Sequence, residues 1–132
     1  MFKEIHDSLL VEYSVSSVSR KLVLYISPHH GAASIPFSVI FDGVEAHCFA
    51  APLLPAILFA IESVSADSLI RDEWASIAEG FNRCGWPGPW ADSLNNALQA
   101  ASSTALKGYY IDSSYGLSGW VLAQSVKLEN GS

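Results

Sequence analysis

Residues 84–90 read CGWPGPW, and this corner separates two segments in which apolar residues recur at helical spacing. Pro87 and Pro89 each fix φ and lack a backbone donor, whereas Gly85 and Gly88 permit backbone angles that other residues avoid. A helix must therefore end before these seven residues, and another must begin after them. We call residues 84–90 the 84–90 corner.

The segments on both sides of the 84–90 corner predict amphipathic helices. The first apolar stripe consists of Ile70, Trp74, Ile77, Ala78 and Phe81. The second consists of Trp90, Leu94, Ala97, Leu98 and Ala101. Asp67 or Ser68 is expected to cap the first helix, and Pro89 suits the first turn of the second. Two helices are therefore predicted between Ser68 and Ala101.

The chain before the helices alternates with a period of two, which is typical of β-strands. One apolar strand face is predicted from Leu9, Val11, Tyr13 and Val15. After a turn at residues 16–20, residues 22–26 predict the returning strand of a hairpin. Residues 56–61 predict a strand that is buried on both faces, although a short helix fits the same residues.

A change of phase interrupts the strand that begins at Phe37. The apolar positions are Phe37, Val39 and Phe41 before Asp42-Gly43, and Val44, Ala46 and Cys48 after it. A β-bulge at this dipeptide explains the change without ending the strand. A tight hairpin turn at the same dipeptide is the other interpretation, because Asp-Gly is a favoured two-residue turn.

The chain after the helices returns to strand periodicity. Residues 107–112 predict one strand, and residues 120–128 predict a last strand in which Gln124 interrupts the apolar row. Residues 129–132 are expected to form a frayed tail. The sequence thus predicts one α+β domain over residues 1–132, with an antiparallel sheet of about five to six strands and two amphipathic helices packed on one face.

Composition favours a packed and acidic domain. Half of the 132 residues are hydrophobic and 15% are charged, which argues against intrinsic disorder. Seven Lys and Arg against 13 Asp and Glu give a net charge of −6, which argues against nucleic-acid binding. The longest apolar run contains Pro52 and Pro55 and is too short to span a membrane. Without a signal-peptide pattern, we expect a cytoplasmic location, with Cys48 and Cys84 as free thiols.

Histidine, aspartate and serine residues of the kinds used in catalysis are present, but their spacing matches no known catalytic or metal-binding motif. His29-His30 lies in a loop with no third metal ligand at a recognised spacing. His6-Asp7-Ser8 contains the residue types of a hydrolytic triad, but neighbours in sequence cannot adopt triad geometry. Ser113-Ser114 lacks the glycines of a nucleophile elbow. We therefore assign no catalytic residue, metal ligand or cofactor, and an enzyme is the least favoured class.

Aromatic residues are concentrated in the second half of the chain, and four of them are candidate binding residues. These four are Trp86, Trp90, Tyr115 and Trp120. Exposed aromatic side chains dominate the energetics of many protein interfaces. Ordinary core packing of the 84–90 corner against the sheet is the favoured interpretation of the same residues, and a recognition surface is the alternative.

Three short segments carry a resemblance to a known group of proteins: HDSLL at residues 6–10, FDGV at 41–44 and SSYGLSGW at 113–120. The chain resembles a group of small, uncharacterised bacterial cytoplasmic domains, some of which are similar to immunity proteins of contact-dependent or polymorphic toxin systems. This resemblance implies a non-enzymatic protein that blocks a toxin by burying its active surface. It implies no catalytic residues.

These observations favour a bacterial protein-interaction domain, and the resemblance suggests an immunity protein with a toxin-like partner. The alternative is a small-ligand-binding module with a pocket between the sheet and the Trp86–Trp90 region. Neither a nucleic acid nor a membrane is an expected partner.

Overall fold

The computed structural model of this chain describes residues 5–28 and 35–130. Eight strands lie in these residues: β1 (Leu9–Ser16), β2 (Lys21–Ser27), β3 (Phe37–Asp42), β4 (Ala46–Ala50), β5 (Ala56–Ser65), β6 (Lys107–Tyr115), β7 (Ser118–Ala123) and β8 (Ser125–Asn130). The same residues contain three α-helices: α1 (Ala66–Asp72), α2 (Trp74–Cys84) and α3 (Leu94–Ser103). All strand pairs are antiparallel, in the order β4-β7-β6-β5-β1-β2-β3-β8. The α+β class and the antiparallel sheet are confirmed.

The sheet has eight strands rather than five or six, because two expected strands are each bent into two. Residues 43–45 separate β3 from β4, and Gln124 alone separates β7 from β8. The two bends lie side by side, since the backbone N–H of Gln124 donates to the carbonyl of Asp42 at 2.9 Å. β3 pairs with β8, whereas β4 pairs with β7. Asp42-Gly43 is therefore neither a one-residue bulge nor a hairpin turn, but part of a bend between two parts of the sheet.

These bends fold the sheet over itself. We call β1, β2, β3 and β8 the first half-sheet, and β4, β5, β6 and β7 the second half-sheet. Two pairs, Leu9 with Ile57 and Leu10 with Ala56, join the half-sheets at the opposite corner. The rings of Phe41 and Tyr109 meet between them with centroids 5.2 Å apart, although β3 and β6 are not neighbours in the sheet. The first hydrophobic core thus lies between the two inner faces.

A register shift in β1 changes which side chains enter this core. The pairing with β2 shifts between Leu10 and Glu12, which leaves Val11 as the extra residue. Leu10 is consequently buried and Val11 is exposed. Tyr13 lies half-buried against the core, whereas Val15 is exposed. The single apolar face predicted for the odd positions of this strand was therefore wrong.

The helices form a second hydrophobic core on the outer face of the second half-sheet. Its buried members include Leu69, Ile70, Ile77, Ala97, Ala101, Trp120 and Leu122. Because Val121 and Ala123 belong to the first core, β7 is buried on both faces. Helices do pack on one face of the sheet as predicted, but they are three rather than two.

The boundaries of the helices differ from the prediction at three points. Glu73, with φ −101° and ψ 10°, separates α1 from α2, so the first predicted helix is broken. The side chain of Ser65, rather than Asp67 or Ser68, accepts the capping hydrogen bond of α1. A 3₁₀ helix at Pro89–Asp92 begins within the 84–90 corner, and α3 begins only at Leu94. The expected end of the first helical segment is confirmed, since Gly85 adopts the left-handed conformation at φ 78°.

The end of the chain is more ordered than the predicted tail. Glu129 pairs with Ser38 and Asn130 pairs with Phe37, so both residues belong to β8. The other two residues of the predicted tail, 131 and 132, lie outside the described residues.

Candidate functional site

The four predicted binding residues occupy different environments. Trp120 is 3% exposed and belongs to the second core. The ring of Trp86 packs on it with centroids 5.9 Å apart, and both Trp86 and Trp90 are half-buried. Tyr115, in contrast, is 56% exposed. The structure thus brings Trp86 and Trp120 together inside the helical layer and places Tyr115 on the surface.

Tyr115 is surrounded by other exposed apolar side chains. Ile57 lies directly opposite it in the pairing of β5 with β6. Leu53 lies close by, because its carbonyl accepts a hydrogen bond from the backbone N–H of Leu117 at 3.3 Å. Phe59, two residues along β5 from Ile57, is in edge contact with the ring of His6, with centroids 5.5 Å apart. We call Leu53, Ile57, Phe59 and Tyr115 the Tyr115 patch.

The Tyr115 patch lies where the pairing of β5 with β6 is irregular. The register of β5 against β6 shifts between Ile57 and Leu58, and again between Leu58 and Ala60. Leu58 is buried, whereas Leu53, Ile57 and Phe59 are 52%, 36% and 55% exposed. The prediction that residues 56–61 are buried on both faces was therefore wrong. Residues 56–61 are apolar on both faces of the strand. Their sequence therefore does not indicate which face is buried and which is exposed to solvent.

A groove of about 370 Å³ lies on the same side of the second half-sheet, beside the junction of α1 and α2. Glu73, Tyr110, Asp112 and Cys48 are among its lining residues. The Tyr110 hydroxyl donates to Oε2 of Glu73 at 3.0 Å. Burial raises the pKa of Tyr110 to about 12, and this hydrogen bond together with the charges of Glu73, Asp72 and Asp112 adds to the effect. The hydroxyl is therefore protonated at neutral pH.

The surface around Tyr110 is acidic, since the charges of Glu73, Asp72 and Asp112 all act on its hydroxyl. We call Glu62, Asp72, Glu73 and Asp112 the acidic strip, and none of them forms an ion pair in the part of the chain that the structure describes. Other carboxylates are paired, for example that of Asp67 with Arg71. On β5 and β6, Glu62 pairs with Tyr110, and Ala60 pairs with Asp112. Further along these strands lies the Tyr115 patch, so the acidic and apolar surfaces are contiguous.

Nucleophilic side chains near this surface are held in structural roles. Burial first, and the charge of Glu73 second, raise the pKa of the Cys48 thiol, which disfavours the reactive thiolate. The Ser113 hydroxyl donates to the carbonyl of Leu117 within the turn. The Ser114 hydroxyl donates to the carbonyl of Ile57 at 3.3 Å. Among the described residues, neither serine hydroxyl is hydrogen-bonded to a histidine or another general base that would activate it as a nucleophile.

The histidine candidates assemble no recognised centre in the described residues. His29 and His30 lie outside those residues. His6 Nδ1 lies 3.3 Å from the carboxylate of the adjacent Asp7, with both side chains about half exposed. No group of three or more His, Cys, Asp or Glu side chains within residues 5–28 and 35–130 is arranged to hold a metal ion.

The cavity beside Trp90 is small. It has a volume of about 110 Å³ and is lined by Trp90, Ala97, Ala101 and Leu106 together with Glu45, Ala100 and Thr104. Small-molecule sites typically have volumes of roughly 300 to 1,000 Å³. This cavity is therefore smaller than a typical small-molecule site.

Comparisons with protein-family models, with curated proteins and with solved structures found no match to this chain. Among the described helices, none combines the length and the apolar character that crossing a bilayer requires.

Proposed function

We propose that this chain is a protein-interaction domain that binds its partner through the Tyr115 patch and the adjoining acidic strip. The observation that carries the proposal is the grouping of four exposed apolar side chains on one end of the sheet. Isolated exposed apolar residues are ordinary in proteins, whereas contiguous apolar patches with a polar rim mark interaction sites. Tyr115 and Phe59 supply the large aromatic surface that commonly anchors such contacts.

The partner has an apolar centre flanked by lysine or arginine side chains. The acidic strip next to the patch is not neutralised within the described residues, and the whole chain carries a net charge of −6. Complementary charges at the rim of an interface accelerate association and select against acidic competitors. Raising the ionic strength is therefore expected to slow association more than it accelerates dissociation.

The specific form that we propose is a bacterial, cytoplasmic and non-enzymatic immunity protein. Its support is the resemblance of residues 6–10, 41–44 and 113–120 to domains of that kind. Two of these segments contribute to or adjoin the Tyr115 patch, since His6 contacts Phe59 and Tyr115 lies within residues 113–120. A toxin-like partner would then lose access to its active surface by contact with this end of the sheet.

Capture by paired variants tests the interaction surface. Proteins from the native host are captured on the unmodified chain, on Phe59→Ala/Tyr115→Ala and on Tyr25→Ala. Tyr25 is the matched control, because it is an exposed tyrosine on β2, in the first half-sheet. The expected partner binds the unmodified chain and the control, and its affinity for the double variant falls at least about tenfold once both proteins are purified. Equal affinity of all three chains for every purified partner would refute the proposed surface.

A growth assay tests the immunity function separately. The purified partner is expressed alone in a test bacterium, and then together with the unmodified chain or with the double variant. The immunity proposal expects growth arrest by the partner alone, rescue by the unmodified chain and loss of rescue with Phe59→Ala/Tyr115→Ala. If the captured partner does not impair growth, the proposed interaction domain stands, but the immunity function is refuted.

The small-ligand-binding module is the second candidate, and the groove beside Tyr110 is the observation that favours it. Its volume of about 370 Å³ falls within the usual range of ligand sites, unlike the cavity at Trp90. The Glu73 and Asp112 carboxylates favour a cationic ligand. A panel of amine-containing metabolites should then raise the melting temperature of the chain, but not that of Glu73→Gln/Asp112→Asn. No shift across the panel would eliminate this candidate.

A further inference from the structure

β8 forms one edge of the first half-sheet, whereas the Tyr115 patch lies on the second half-sheet. Among the described strands, β8 pairs with β3 alone. Within residues 5–28 and 35–130, its other side therefore presents a row of backbone N–H and C=O groups with no strand beside them, which is a template for pairing with another strand.

The free edge of β4 differs, because side chains from elsewhere lie against it. Phe49 of β4 is in edge contact with Tyr13 of β1, with ring centroids 5.2 Å apart. Glu45, which directly precedes β4, forms an ion pair with Arg20 of the β1–β2 turn. These contacts hold the end of the first half-sheet against β4. Within the described residues no comparable ring contact or ion pair involves β8, so β8 is the edge that we consider for pairing.

The side chains of β8 are complementary to themselves in the antiparallel direction. Lys127 and Glu129 alternate with the half-buried Val126 and Leu128, so both charged residues lie on the outer face of the strand. They are exposed, and neither forms an ion pair in residues 5–28 and 35–130. A strand of the same sequence in the opposite direction places a glutamate beside each lysine when both strands are centred on Leu128.

We propose that two copies of this chain associate by antiparallel pairing of their β8 strands around a two-fold axis at Leu128. Lys127 of one copy then lies directly opposite Glu129 of the second copy, and the reverse pair follows from the symmetry. The two Leu128 side chains meet at the axis, on the inner face. The first half-sheets of both copies become one continuous eight-stranded sheet.

This association is separate from the proposed partner site. β8 lies in the first half-sheet, whereas the Tyr115 patch involves β5 and β6 of the second. Loss of the dimer therefore leaves the partner surface in place, and Phe59→Ala/Tyr115→Ala leaves the dimer in place. The two proposals can fail independently.

Sedimentation velocity of the full chain over a range of concentrations tests the pairing with charge-reversal variants. Lys127→Glu alone places two glutamates opposite each other twice, and Glu129→Lys alone places two lysines opposite each other twice. Directly opposed like charges destabilise a strand pair, so each single variant should dimerise at least about tenfold more weakly than the unmodified chain. An equimolar mixture of the two single variants should dimerise again, because every charged pair between the two different chains is then of opposite sign.

Arg83→Glu and Glu79→Lys are the matched controls. They make the same charge changes at an exposed i,i+4 pair on α2 and should leave dimerisation unchanged. The proposal is overturned if the unmodified chain is a monomer at every concentration. It is also overturned if the single variants dimerise as the unmodified chain does, or if their mixture remains monomeric while both variants keep the unmodified melting profile.

Discussion

The outer face of the second half-sheet has two ends that share strands β5 and β6 and differ in what covers them. At the covered end, the three helices bury Trp120 and Leu122. At the open end, Ile57, Phe59 and Tyr115 are exposed, and none of the described helices covers them. The pairing of β5 with β6 is regular at the covered end and shifts register at the open end. At both ends some apolar side chains point outward, and the helical layer decides which of them are buried.

This difference separates residues that stabilise the fold from residues that are available for binding. Burial of a large apolar side chain contributes roughly 1.5–3 kcal/mol, which the covered end gains on folding. The open end gains little of this free energy until a second surface covers it.

Replacement of Trp120 by alanine should cause the largest loss of stability. The substitution removes a core aromatic side chain and leaves a cavity, so we expect a loss of about 3–5 kcal/mol in the free energy of unfolding. The matched change at the open end, Tyr115→Ala, should alter it by less than about 0.5 kcal/mol. Urea denaturation monitored by circular dichroism measures both. Similar losses in the two variants would contradict the contrast between the ends.

Gly80→Ala should destabilise the covered end in a way that depends on Trp86. A Cβ atom at Gly80 would lie 2.4 Å from the Trp86 ring. The overpacking cost of about 1–3 kcal/mol outweighs the helix propensity of about 1 kcal/mol that alanine adds. A net loss is therefore expected in the unmodified chain.

The Trp86→Ala background should reverse the sign of that effect. Without the ring, alanine at position 80 retains its helix propensity and no longer clashes, so Gly80→Ala should stabilise the chain. A double-mutant cycle of melting temperatures and unfolding free energies measures the coupling. If Gly80→Ala destabilised the unmodified chain and the Trp86→Ala variant equally, the contact between Trp86 and Gly80 of α2 would be refuted.

Tyr110 lies between the two ends and should make stability depend on alkaline pH. Its pKa is raised to about 12 in the folded chain, against an ordinary value of 10. Because the folded state holds this proton more tightly, the stabilisation is present below pH 10 and is lost as the pH rises from 10 to 12. The difference in unfolding free energy between the unmodified chain and Tyr110→Phe should shrink over that interval. Tyr115→Phe is the control for general alkaline effects.

Ile57→Thr should have the smallest effect on stability, although it changes the open end directly. Threonine keeps the β-branched shape that suits a strand, and the lost methyl group is partly exposed already. The expected change in unfolding free energy is below about 0.5 kcal/mol. Binding of a hydrophobic fluorescent dye to the folded chain should fall at the same time. A large loss of stability would indicate that Ile57 contributes to the core.

Local backbone chemistry explains which parts of the fold the sequence predicts. The prolines and glycines of residues 84–90 impose the end of α2 whatever surrounds them, and Gly85 takes the conformation expected there. The β1–β2 hairpin follows from alternation and a short serine-rich turn. Such features depend on residues within a few positions of one another, and so they can be read directly from the chain.

The errors arise where distant parts of the chain meet. The bend at residues 43–45 pairs with the bend at Gln124, about 80 residues away in sequence. The shift at Val11 depends on the register of β2. The helix break at Glu73 coincides with the hydrogen bond that its side chain accepts from Tyr110 of β6. No window of neighbouring residues contains both members of any such pair.

The candidate site shows the same division. Composition identified an aromatic-rich second half, including Trp86, Trp90, Tyr115 and Trp120, and an acidic chain. The sequence alone therefore determined which side chains have the chemistry for core packing or binding, and where the chain must turn. Only the packing of helices over one end of the sheet determined that Trp120 is core and Tyr115 is surface. Burial is a relation between segments distant in sequence, and for that reason it is a property of the folded chain.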